Sequence, residues 1–300
     1  MTFEQKFSTY AQVIETRMAE LLPNGDGRAS HNFKNLLPDA MRYGVLNGGK
    51  RLRPFLLLEA ASLFGIPNTA AMNAACALEF VHCYSLVHDD LPAMDDDDLR
   101  RGKPTVHKKY DDATAILVGD SLLTLAFQVI GRADTHEDSY VRCELVTGLA
   151  LASGYLGMAG GQALDLAAER AGSLSMDEII KIQLLKTGAL IEFSLDAGAL
   201  LGRANADERA ALKAYGRAIG LAFQIADDLL DVEGDADKLG KATGKDADLG
   251  KKTVLSHLGV EGARLQLSAL ENEAVAALDI FGDRAAMLIE VARFIVRREY

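Results

Sequence analysis

Apolar positions recur at helical spacing along most of the chain, and no stretch alternates as a half-buried strand would. Helices are predicted at about 3–21, 39–64 with a break at Gly48-Gly49, 68–91, 112–133, 138–170, 176–202, 206–233, 260–278 and 283–298. All six prolines (Pro23, Pro38, Pro54, Pro67, Pro92 and Pro104) lie in the first 104 residues, so proline breaks no helix beyond them. The remainder is rich in Ala, Leu, Glu and Lys, which favour helix. Ser175 before "MDEII" and Asn205 before "ADERA" read as N-caps with acids in the first turn. Stretches such as "DATAILVGDSLLTLAFQVIG" are apolar or small nearly all round and mark buried helices. The expectation is an all-α fold, one domain over 1–300, with long helices packed about a central one. The Gly- and Lys-rich stretch 234–252 is the most loop-like interior part, and no repeat or low-complexity segment interrupts the pattern.

Composition narrows the function classes. With 49% hydrophobic and 25% charged residues the chain can bury a large core. No uninterrupted apolar run reaches the ~18–20 residues that cross a bilayer. The N-terminus "MTFEQKFSTYAQVIETR" lacks a basic region followed by an apolar one, so neither a membrane span nor a secretory signal is expected. Cys76, Cys83 and Cys143 form no CxxC pair and read as small core residues of a reduced, cytoplasmic protein. A net charge of −11, no Trp and 6% aromatics argue against nucleic acid, which needs a basic face and stacking platforms.

The charge is concentrated in two places. "LVHDDLPAMDDDDLRRGKPTVH" holds six aspartates between Asp89 and Asp98, then two arginines; "FQIADDLLD" holds Asp227, Asp228 and Asp231. A solvated acidic loop and a metal site both fit the first cluster taken alone. In the second, Asp227 and Asp231 share a helix face and repel, a cost that a divalent cation reverses. Oxygen ligands without His or Cys favour Mg²⁺. Pro92 should end or distort the helix so that Asp89 and Asp95 point one way, leaving Asp96, Asp97 and Asp98 as solvent-facing or supporting groups. Cations stand apart in "GGKRLRP" (Lys50, Arg51, Arg53), "LRRGKP" (Arg100, Arg101), "LKTGAL" (Lys186, Thr187) and "LGKATGKD" (Lys241, Lys245). Gly48-Gly49 lacks the full pattern of a phosphate loop, and neither acidic cluster has the DxDxDG of an EF-hand. Lys186 interrupts an otherwise apolar helix and needs an anion partner. His82, Ser85 and Asp89 fall on one face of their helix; a satisfied core histidine and a functional one are equally good readings of His82.

Taken in order, these motifs and "GGQALDL" resemble the trans-isoprenyl diphosphate synthases over most of Gly48 to Asp246, and within them the bacterial short-chain, farnesyl-forming members. That resemblance implies a helical bundle around a deep apolar cavity, a homodimer, and Mg²⁺-dependent head-to-tail condensation of dimethylallyl or geranyl diphosphate with isopentenyl diphosphate. A trio of Mg²⁺ ions accompanies the substrates. Carried over by motif, Asp89, Asp95 and Asp227 would bind the metal, with Asp90, Asp228 and Asp231 in support. Arg100, Lys186, Thr187, Gln224 and Lys241 would hold the allylic diphosphate; Lys50, Arg53, His82 and Arg101 would hold the isopentenyl diphosphate. Asp89, Asp95, Asp227, Lys186 and Arg100 would carry catalysis, with the departing diphosphate as the final base. Arg297 and Arg298 receive no role. For product length, helix geometry puts Ser85 nearly beneath Asp89 and Tyr84 ~140° round the helix. The resemblance favours Tyr84 as the pocket floor. Geranyl- or geranylgeranyl-forming relatives are the alternative within the class, and a non-catalytic metal-binding helical subunit the alternative outside it.

Overall fold

A computed structural model describes residues 2–24, 35–169, 173–233 and 253–297. Contacts divide the chain into two compact units, Met1–Phe55 with Thr69–Val146, and Leu56–Asn68 with Thr147–Tyr300.

The first unit contains α1 (Phe3–Leu21), α2 (Leu37–Val45), most of α4 (Asn68–Asp89), a short α5 (Val106–Lys109) and α6 (Asp112–Ile130). It also takes the start of α3 (Leu52–Ser62) and of α7 (Ser139–Ser153). A capping box between Thr2 and Gln5 starts α1, and the Asp111 carboxylate accepts the Thr114 N–H at the start of α6. The expected long helix over 39–64 is interrupted at Gly48-Gly49, where both glycines take positive φ (86° and 129°). α4 is the core of this unit. Ala71 to Val81 are buried without a break, including Asn73 and Glu79, between an exposed first turn and a more open stretch from His82 onward. The only strands among the described residues are a two-residue antiparallel ladder, β1 (Leu99–Arg100) with β2 (Lys103–Pro104).

The second unit holds α8 (Met158–Glu169), α9 (Met176–Gln183), a π turn (Leu184–Gly188) and α10 (Ala189–Leu201). It continues with α11 (Ala206–Glu233), α12 (Val254–Ala277), a 3₁₀ turn (Asp279–Ala285) and α13 (Ala286–Arg297). α11 packs against α10 and α12, and its fully buried Tyr215 donates its hydroxyl to the Leu288 carbonyl at 2.6 Å. Both expected N-caps are present: Ser175 forms a capping box with Glu178, and Asn205 accepts the Glu208 N–H at 3.0 Å.

Three boundaries differ from the sequence expectation. The helix expected over 138–170 is two helices, because the intervening turn folds onto its own carbonyls. A Cβ on Gly157 would sit 2.2 Å from the Ala152 oxygen, and one on Gly160 2.0 Å from that of Tyr155. The helix expected from 260 is preceded by a turn of helix from Val254, joined at Gly259 with φ 65°. The last helix begins at Ala286 after the 3₁₀ turn, within which Gly282 has φ 54°.

By length and mean hydropathy alone, α4 and α6 could cross a membrane. α4 has 72% of its apolar window buried in the protein, as a core helix does; for α6 the share is 39%. Cys76 and Cys83 are buried as expected, and burial pushes the Cys83 thiol up to about 12. Cys143 is not a core residue; it lies exposed on α7.

Candidate active site

α4 ends at Asp89, and Pro92 forces the chain into a tight turn. The turn is closed by the Met94 N–H on the Leu91 carbonyl (2.9 Å) and the Asp95 N–H on the Asp89 carbonyl (2.9 Å). Asp89 and Asp95, six positions apart, thereby become backbone neighbours at the turn that the proline was expected to make. Asp89 is half-buried and Asp95 exposed. Asp90 points elsewhere. Its buried carboxylate receives Nε and Nη2 of Arg100 at 2.7 and 2.6 Å, and burial raises its pKa despite that partner. Arg100 ends β1, and the reversal that follows, with positive φ at Arg101 (54°) and Gly102 (73°), returns Lys103 and Pro104 alongside it.

The same reversal makes a cluster that the sequence reading missed. Asp96 and Asp98 are exposed, but each places a carboxylate oxygen within 4.8 Å of a ring nitrogen of buried His107. Thr105 Oγ1 bonds His107 Nδ1 at 3.1 Å, and Lys108 pairs with Asp98 at 2.8 Å. Nothing in the spacing of "DDDDLRRGKPTVH" signals this without the hairpin.

The cations of the first unit divide into two kinds. Arg51 has positive φ (52°) and is buried, bonding Glu79 at 3.0 Å, the Val45 carbonyl at 2.7 Å and Glu15 at 3.4 Å. It anchors the glycine turn from inside. Lys50 stays exposed beside it. Arg53 Nη1 lies 3.4 Å from His82 Nε2, and Arg101 Nη1 donates to the Gly48 carbonyl. Since Arg53 can only donate, Nε2 of His82 accepts and Nδ1 carries the proton. Burial, and then Arg53, Arg101, Arg100 and Arg51 around it, hold the imidazole well below its ordinary range. The ring is therefore neutral inside a cationic surround, an environment that favours an anion.

Tyr84 is half-buried, its ring edge-on to His88 with centroids 5.7 Å apart. His88 Nε2 bonds the Ile116 carbonyl at 3.1 Å, and its ring fills the space over Gly119, where a Cβ would lie 1.9 Å away. Ser85 spends its hydroxyl on its own helix, at the His82 carbonyl (2.9 Å).

In the second unit the π turn displays Lys186 and Thr187. Lys186 Nζ meets Asp165 Oδ2 at 2.6 Å, so the anion partner its position demanded is the acid of "GGQALDL". Thr187 Oγ1 donates to Gln224 Oε1 at 2.5 Å. Gln183 Nε2 reaches Asp228 Oδ2 at 3.5 Å. Asp228 and Asp231 are buried, whereas Asp227 is half-buried. Arg297 lies 3.9 Å from Glu271 and is largely exposed. Lys241, Lys245 and Arg298 fall outside the described residues.

Comparison with known proteins gives the family. The pattern of the polyprenyl synthetase family matches residues 34–277. The chain is 46% identical over 265 residues to a farnesyl diphosphate synthase of Escherichia coli strain K12, covering 87% of this chain and 88% of that protein. It is 42% identical to a chloroplastic geranylgeranyl pyrophosphate synthase of Catharanthus roseus, covering 87% and 73%. A crystal structure described as an FPP/GFPP synthase of Zymomonas mobilis superposes with a TM-score of 0.86 at 48% identity, covering 98% of each chain. The fold of that structure, the family pattern and the two aspartate motifs agree, and the chain belongs to the polyprenyl synthetase family.

Proposed function

We propose that this protein condenses dimethylallyl or geranyl diphosphate head-to-tail with isopentenyl diphosphate to give farnesyl diphosphate, in a reaction dependent on Mg²⁺. The observation that carries the reading is the placement of Arg53 beside His82 Nε2 and of Arg101 on the Gly48 carbonyl in the same unit as the turn that bonds the Asp95 N–H to the Asp89 carbonyl. Diphosphate is the ligand that needs both fixed cations and carboxylate-held metal.

Asp89, Asp95 and Asp227 fit Mg²⁺ by chemistry. They offer oxygen alone, and Asp89 and Asp95 come together at one turn, leaving water and phosphate oxygens to fill the remaining positions. Bound there, the metal would neutralise charge on the leaving diphosphate. Asp90 supports the turn by holding Arg100, whose remaining donors would take a phosphate oxygen. Lys186, Thr187, Gln224 and Lys241 would complete the allylic diphosphate pocket. Lys50, Arg53, His82 and Arg101 would hold isopentenyl diphosphate, with the proton on His82 Nδ1 available as a donor. Fixed cations aimed at the departing diphosphate stabilise the charge that grows as the C–O bond breaks. The allylic carbocation left behind must meet the isopentenyl double bond before water does, which calls for apolar walls. The departing diphosphate accepts the final proton.

The single-domain reading is supported by the family match, which runs through residues of both units. A homodimer is what the family resemblance implies, and α6 leaves two large apolar side chains, Ile116 and Leu117, exposed.

Tyr84 decides between fifteen and twenty carbons. The relatives named as geranylgeranyl synthases make the longer product a real competitor. Here an aromatic ring braced by His88 stands five residues before Asp89, at the position the resemblance gives to the pocket floor. Chromatography of products from labelled isopentenyl diphosphate and geranyl diphosphate tests both parts. The wild type should release a fifteen-carbon product, and Tyr84→Ala should shift it toward twenty or more carbons while still condensing. No incorporation by the wild type would refute the activity, and an unchanged product from active Tyr84→Ala would remove the tyrosine from its role.

A further inference from the structure

"GGQALDL" has so far contributed a partner for Lys186 and nothing to the reaction. Resting on the reading of Lys186 as a ligand of the allylic diphosphate, we propose that Asp165 is the positioning residue that fixes the Lys186 ammonium for that ligand.

The geometry is a two-point clamp. Gly161 and Asp165 lie four apart on α8 and share a face. At Gly161 that face meets the backbone of the π turn so closely that a Cβ would stand 2.2 Å from the Lys186 nitrogen and 2.6 Å from its Cα. One turn along, Asp165 Oδ2 holds Nζ of the same residue at 2.6 Å. The root of the lysine is set by the glycine and its tip by the carboxylate.

The clamp matters because lysine is a point charge on a flexible four-carbon stem, unlike the preformed fork of arginine. A free ammonium on a half-buried helix samples several rotamers and must be ordered each time substrate binds. Held by Asp165, it is already ordered. Its three N–H donors leave two for phosphate oxygens after one is given to the carboxylate. The π turn adds to this. Single π turns inside α-helices shift the register of the side chains they carry, and here those are Lys186 and Thr187.

The test uses the whole protein, with Asp165→Asn, Lys186→Ala and the two combined, at matched helicity. Three quantities are measured: KM for each substrate, the Mg²⁺ concentration for half-maximal rate, and the Kd of inorganic diphosphate with Mg²⁺ by calorimetry. Asp165→Asn should raise the geranyl diphosphate KM and the diphosphate Kd about tenfold, the scale of one charge-assisted bond. The isopentenyl diphosphate KM and the Mg²⁺ concentration for half-maximal rate should not move. In the Lys186→Ala background the asparagine should cost nothing more, because the carboxylate acts through the lysine. Asp165→Glu keeps the charge on a longer arm and should lose part of the allylic affinity alone, a second readout if the amide fails to fold. Losses that multiply in the double variant, or a Mg²⁺ requirement raised by Asp165→Asn alone, would overturn the inference. An unchanged allylic KM and diphosphate Kd in Lys186→Ala would instead sink the assignment of Lys186, and the clamp's role with it.

Discussion

His82 shows how one side chain can carry both a structural and a chemical statement. Two readings of it stood open in the sequence, a satisfied core residue and a ligand; burial and the neighbouring arginines lower its proton affinity, which supports the proposal that it faces an anion. An imidazole that binds its proton less well when folded leaves stability whole above about pH 6.5. Below that pH the unfolded chain takes up a proton the native site refuses, and stability falls. We expect the melting temperature of the wild type, relative to His82→Gln, to worsen as pH drops from about 7.5 to about 5.5. A difference constant over that range would contradict the lowered affinity. Other residues were less legible. Arg51 looked like one more surface cation in "GGKRLRP", and only its left-handed backbone and buried Glu79 partner set it apart from Arg53 two positions on. Asp96 and Asp98 gave no sign of His107, because the hairpin that joins them is a tertiary fact.

At the scale of elements, helical spacing made most of the fold readable. α1 and α11 run over the residues their apolar periodicity marks, and the caps at Ser175 and Asn205 follow from composition alone. The failures cluster at glycines. Gly154, Gly157 and Gly160 end one helix and begin the next, a use of glycine that periodicity does not encode because the apolar pattern runs straight through it. The π turn at Leu184–Gly188 was likewise invisible, since one extra residue in a turn leaves the local pattern intact. Gly161 gives this level its test. A methyl group there meets Lys186 backbone rather than a yielding side-chain tip, so Gly161→Ala should cost about 1–3 kcal/mol in denaturant unfolding. It should also impair allylic binding by pushing the π turn outward. A variant with wild-type stability would mean that the close approach of α8 is easily relaxed.

For the whole molecule, the acidic balance of −11 argues against nucleic acid but says nothing of the metal, which is inferred from the spacing of carboxylates. A homodimer, if formed through α6, would cover its exposed Ile116 and Leu117. Light scattering should give about twice 32.2 kDa for the wild type and a shift toward the monomer for Leu117→Glu. A wild-type monomer at micromolar concentration would remove the dimer. Whether both aspartate motifs serve one Mg²⁺-dependent ionisation is tested most directly by the turnover of Asp89→Ala and Asp227→Ala at saturating substrates and Mg²⁺. Each should lose a factor on the order of 10³ or more, about 4 kcal/mol of barrier, with helicity unchanged. Near-normal turnover in either folded variant would contradict the mechanism.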